Sequence, residues 1–78
     1  SEGISNFLNS LGEGKIVLVL REEPNGLVKG SYRTKHPDVD VAAMAAVHGG
    51  GGHKKAAGFS LSGQIVRGER GWHVRPAA

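Results

Sequence analysis

The stretch Gly49-Gly50-Gly51-Gly52-His53-Lys54-Lys55-Ala56-Ala57-Gly58 concentrates the residue types from which an anion site is made. Glycines at positive φ let successive N–H groups converge into a concavity that accepts oxygen anions, and a histidine and two lysines follow where a short helix is predicted to begin. Phosphate is the natural guest of such a segment. Each glycine in ordered backbone destabilises by roughly 0.5–1 kcal/mol relative to alanine, so four in a row cost about 2–4 kcal/mol. A small domain keeps such a run for a use; a flexible surface linker is the competing reading.

A second chemical segment precedes it. In Leu27 to Lys35, side chains alternate between faces, so Val28 and Tyr32 look one way across Gly30 while Lys29, Ser31, Arg33 and Lys35 look the other. One face is apolar and the other is a cationic stripe whose side chains recur every 6.6–7 Å or so, close to the spacing of phosphates in an extended strand. The bland alternative is the solvated face of an edge strand, where lysines discourage aggregation. Tyr32 reads as core, although an aromatic beside Arg33 is also suited to stacking on a base.

Other chemistries fail on spacing. No Gly-Lys-Ser/Thr follows the glycine run as a P-loop requires, and Lys54 stands where a dinucleotide fingerprint needs its third glycine. His36, Asp38 and Asp40 have the letters of a metal cluster, but capping carboxylates at a helix start give the same letters. A helix break separates His48 from His53, so a zinc pair is unsupported, and His48 reads as a helix-end residue near terminal carbonyls. His73 has no partner visible in sequence.

With 78 residues the chain supports one small domain, which buries only about 60% of the surface its unfolded form exposes. A deep self-contained enzyme cleft does not fit that size. Lys plus Arg number 10 against 7 acidic residues, a net charge of +3 that favours anionic partners. The absence of cysteine excludes disulfide scaffolds and thiol nucleophiles and fits a reducing compartment. The longest apolar run, Ile16 to Leu20, is far short of the roughly 18 residues of a membrane helix. The expected setting is cytoplasmic, with no membrane partner. Met44 is the only methionine, so residues 1–78 are expected to be a single domain cut from the C-terminal part of a longer two-domain protein.

The elements that must position these residues follow from periodicity. Ile4, Phe7, Leu8 and Leu11 predict a short amphipathic helix ended by Gly12 or Gly14. Lys15 to Leu20 predicts a central strand, and Glu23-Pro24-Asn25-Gly26 a turn that returns Leu27 to Lys35 antiparallel. Val41, Met44, Ala45 and His48 mark a helix that starts near Pro37-Asp38 and ends at Gly49, its alanines allowing close approach to a sheet. A second helical turn is predicted from His53 to Ala57, then a strand from Phe59 to Leu61. Ile65-Val66-Arg67 and Trp72-His73-Val74 flank a closing hairpin. The fold class is α/β (α+β): a small mixed sheet of about five strands flanked by two to three short helices.

Ser31-Tyr32-Arg33-Thr34, then Asp40-Val41-Ala42, an alanine-rich helix, and the glycine-histidine run through Phe59 together resemble the C-terminal DHH-associated domain of DHH-superfamily phosphoesterases. The likeness spans roughly Lys15 to Leu61 and is specific when its two halves are joined. Lys-Lys-Ala-Ala-Gly-Phe after the histidine is most similar to bifunctional oligoribonuclease and 3′-phosphoadenosine-5′-phosphate phosphatases, with the RecJ exonuclease branch close behind. The resemblance implies a mixed sheet that grips nucleotide while a separate N-terminal DHH domain holds two manganese ions. It also implies that Ser31, Arg33, Thr34, the amides of Gly49, Gly50, Gly51 and Gly52, His53, Lys54 and Lys55 hold substrate phosphate. Thr34 departs from the commoner serine after the arginine.

The Asp-His-His motif and the other aspartate ligands of a two-metal centre occur nowhere in the chain, which carries no catalytic or metal-ligating residues and needs no cofactor of its own. It is expected to bind but not to cut. The implied partners are short single-stranded oligonucleotides or mononucleotides and the chain's own N-terminal DHH domain, in a parent able to form a homodimer. The alternatives are an autonomous single-stranded nucleic-acid module, a RecJ-type exonuclease substrate domain, and a purely structural interaction domain.

Overall fold

A computed structural model describes residues 6–69 and 71–77. Six strands and one helix run in the order β1 (Asn6–Leu11), β2 (Ile16–Glu22), β3 (Leu27–Thr34), α1 (Val41–Ala46), β4 (Gly51–His53), β5 (Ala56–Gly68) and β6 (Gly71–Pro76). The sheet order is β1-β2-β3-β5-β4, with β6 on the distal half of β5. Every pairing is antiparallel. The α+β class is as the sequence indicated; among the described residues there is one helix where two to three were expected, and no parallel pair where a mixed sheet was expected.

The turn at Glu23 to Gly26 returns the chain as its residues require, with Gly26 at φ 79° and the Glu23 N–H donating to Leu27 O at 2.7 Å. β3 is central, flanked by β2 and β5, so its lysines do not guard an edge. Alternation along it divides the domain. Val28, Gly30, Tyr32 and Thr34 are buried, while Lys29 and Arg33 are exposed and Ser31 lies between these extremes. On the buried side Val41 and Ala45 of α1 meet Val28, Tyr32 and Phe59 in one apolar cluster with Ile16, Leu20, Ala57 and Ile65. Asp40 starts the helix, its Oδ1 accepting from the N–H groups of Ala42 and Ala43 at 3.0 and 3.2 Å, two positions later than Asp38.

Two expected helices are strands. The apolar spacing of Phe7, Leu8 and Leu11 occurs in β1, which pairs with β2 from Asn6↔Arg21 to Leu11↔Ile16. Leu8 is 71% exposed while Leu11 packs against the core, the opposition that strand alternation demands of residues three apart. Ile4 and the side chain of Phe7 lie outside the described residues. The predicted helical turn at His53 to Ala57 is a tight hairpin joining β4 to β5, with His53 opposite Ala56. β5 then runs for 13 residues, longer than the strand expected from Phe59 to Leu61, and carries the closing hairpin with β6.

Candidate functional site

No helix among the described residues covers the second face of the sheet. Register places its side chains in rows. Arg33 of β3 lies beside Ala56 of β5, which lies beside His53 of β4; the next row is Ser31, Gly58 and Gly51, and the next pairs Lys29 with Ser60. Strands are about 4.8 Å apart, so the Arg33 and His53 backbones stand roughly 10 Å from one another across a floor of alanine and glycine. Small residues in the middle leave both long side chains free to close on one guest from opposite sides. His53 and Arg33 are exposed, and Arg33 has no carboxylate partner among the described residues.

The glycine run serves the backbone differently from the expected four-amide concavity. Gly49 adopts φ 80° and closes α1: its N–H donates to Ala46 O at 3.0 Å, and the Gly50 N–H donates to Ala45 O at 2.9 Å. These two amides therefore satisfy helix carbonyls. Gly50 is packed so closely on β5 that a Cβ there would sit 2.1 Å from Gly58 O. Gly51 and Gly52 belong to edge strand β4, whose outer side is unpaired. The run thus brings a helix end onto a sheet edge and leaves that edge thin.

The turn after His53 is a structural hub. Lys54 O accepts from Val41 N–H at 2.8 Å, at the start of α1, and Lys55 O accepts from Thr34 N–H at 3.0 Å, at the end of β3. The Lys55 ammonium donates to His36 O. Thr34 is buried; its hydroxyl donates to Lys15 O at 2.6 Å and accepts from His36 N–H at 3.0 Å. His36 Nδ1 in turn accepts from Asp38 N–H at 3.2 Å.

Concavities among the described residues reach this face. A groove of about 730 Å³ lies at the sheet end, lined by Lys15, Val17, Arg33, Lys35, Pro37, Lys55 and Ala56 together with Glu13. A smaller one of about 450 Å³ lies between the glycine run and β5, with Gly49, Gly50, Gly58, Phe59, Lys29 and Ser60. Of the residues singled out in sequence, Arg33, Thr34 and Lys55 line the first and Gly49 and Gly50 the second, while Ser31, Gly51, Gly52, His53 and Lys54 line neither. Lys15 was missed. Its signal is the hairpin register: Lys15 and Lys35 flank the last pair, Ile16↔Thr34.

Three residues with chemical potential face elsewhere. Tyr32 lies under α1, its ring 5.4 Å from that of Phe59, and has no access to a base on the open face. His48 is a helix-end residue as expected, its backbone N–H donating to Ala45 O at 3.0 Å, while its ring packs on Phe59 at 4.7 Å. His73 is exposed on β6, away from both concavities. No described helix is long and apolar enough to cross a membrane.

Residues 1–69 match the family model described as the DHHA1 domain. Searches of curated proteins and of solved structures each found no significant match.

Proposed function

This chain belongs to the DHHA1 domain family, the DHH-associated domain of DHH-superfamily proteins, and from that premise we propose that it grips the phosphate of a nucleotide substrate for a DHH phosphoesterase. The observation that carries the reading is the row Arg33–Ala56–His53 on the helix-free face. Arginine offers a planar, permanently charged fork for phosphate oxygens, and histidine adds a donor from the opposite side. Lys54 at the hairpin tip and Ser31 in the next row are within the same surface.

The finer proposal is a cytoplasmic parent with an N-terminal DHH domain that degrades short oligonucleotides and dephosphorylates 3′,5′-bisphosphate nucleotide. Lys-Lys-Ala-Ala-Gly-Phe after His53 supports that branch. Among the described residues no group of three His, Asp or Glu side chains can hold a metal ion. The two manganese ions that such a parent would use are proposed to sit in its N-terminal DHH domain.

The test is a titration of this chain with a 5′-mononucleotide and with the matching nucleoside. Binding on the order of millimolar is expected for the nucleotide, since a few exposed charge-assisted contacts act without the other half of the cleft. Equal binding of the nucleoside would remove phosphate recognition from the domain.

A further inference from the structure

The sheet-end groove holds charge that the fold leaves uncompensated. Lys15 and Lys35 are the residues next beyond the final β2–β3 pair, Ile16↔Thr34, and both line the groove. Arg33 and Lys55 line the same groove, and none of these four cations has a carboxylate partner among the described residues. Glu13 is the one carboxylate among the lining residues, so the local field is cationic. Val17, Pro37 and Ala56 add apolar lining, and Val17 is 38% exposed for a β-branched residue. At about 730 Å³ the volume is in the range of small-molecule pockets.

Cations and apolar side chains lining one groove are the chemistry that takes a nucleoside with its phosphate. The groove adjoins the Arg33–Ala56–His53 row and shares Arg33 and Ala56 with it. Arg33 and Lys35 are two residues apart along one chain, roughly 6.6–7 Å while the backbone remains extended. We infer that the sheet-end groove is the seat of a second nucleotide, its phosphate on Lys15 and Lys35 and its base against Val17 and Pro37, when the first nucleotide's phosphate is held by Arg33 and His53. The domain then measures strand length, because a mononucleotide leaves Lys15 and Lys35 without a guest. The inference rests on the phosphate-gripping reading of the open face.

The experiment compares binding of 5′-AMP and of the dinucleotide pApA to the whole chain, to the Lys15→Ala/Lys35→Ala double variant and to Arg33→Ala. Both lysine side chains are exposed, and circular dichroism confirms that the variants fold. The unmodified chain is expected to bind pApA about tenfold more tightly than 5′-AMP; the double variant is expected to lose most of that advantage and to keep 5′-AMP affinity within about twofold. Losing the two cations that hold one phosphate should also lower the slope of log affinity against log salt for pApA by about 0.7. Arg33→Ala is expected to weaken both ligands. Equal loss of both ligands in the double variant, or no loss of either, overturns the second seat while leaving phosphate recognition standing. Unchanged binding in Arg33→Ala overturns the reading on which it rests.

Discussion

The two faces of the central sheet are made by the same strands and follow opposite rules. On the covered face, Val28, Tyr32, Ala57 and Phe59 are packed under Val41 and Ala45, and chemistry-bearing groups that fall there are used for structure. On the open face, no helix among the described residues covers Arg33, Ser31, Ala56 and Gly58, and small residues persist where a core would want large ones. Arg33 and Thr34 are neighbours in sequence and stand on opposite sides of this division. The difference teaches that parity along β3, more than residue type, decides which polar group meets a ligand.

The comparison breaks most visibly at Gly30, on the covered face. A Cβ there would lie 2.1 Å from the Phe59 ring, so Gly30→Val must displace that ring from the core. A loss of about 3 kcal/mol is expected from such overpacking, which for a domain of this size lowers Tm by more than about 12 °C in thermal unfolding. Arg33→Ala tests the open face and should do the reverse. Nucleotide affinity is expected to fall by about ten- to a hundredfold, the worth of a charged hydrogen bond, while unfolding free energy stays within about 0.5 kcal/mol of the parent.

Thr34→Val sharpens the boundary between the faces. The hydroxyl lost is the one that bridges Lys15 O and His36 N, so a destabilisation of about 1–2 kcal/mol is expected in urea unfolding. Mononucleotide affinity, measured where the variant is fully folded, should change less than about threefold; a loss as large as that of Arg33→Ala would place the hydroxyl at the ligand.

The smallest expected effect is that of His53, the donor opposite Arg33 in the row. His53→Ala removes one hydrogen bond to the phosphate, so nucleotide affinity is expected to fall by about two- to tenfold, less than in Arg33→Ala. Affinity identical to that of the parent would remove His53 from the site.

Much of this division could be read before any coordinates. The β2–β3 hairpin was legible because Pro24, Asn25 and Gly26 carry turn chemistry and because apolar and cationic residues alternate over Leu27 to Lys35. The helix was legible from Val41, Ala45 and the acids before it. β1 was not, since Phe7, Leu8 and Leu11 fit a helical spacing and only pairing with β2 overrides it. The turn at Lys54-Lys55 was misread for a similar reason: lysine and alanine are good helix formers, but the carbonyls of both lysines are held by Val41 and Thr34, contacts set by tertiary structure. At the site, Arg33 and His53 were both identifiable by type, whereas their alignment through Ala56 depends on a register of three strands that local sequence does not specify.

The most direct measurement is the amide spectrum of the labelled chain titrated with a 5′-mononucleotide. If the open face holds phosphate, the amides of Arg33, Ala56, His53 and Gly58 should shift together on one binding curve, with Lys54 and Ser31 following, while Leu61 and Val74 stay still. Shifts confined to the β5–β6 hairpin, with the Arg33–Ala56–His53 row unmoved at saturating nucleotide, would contradict the assignment of the site to this face.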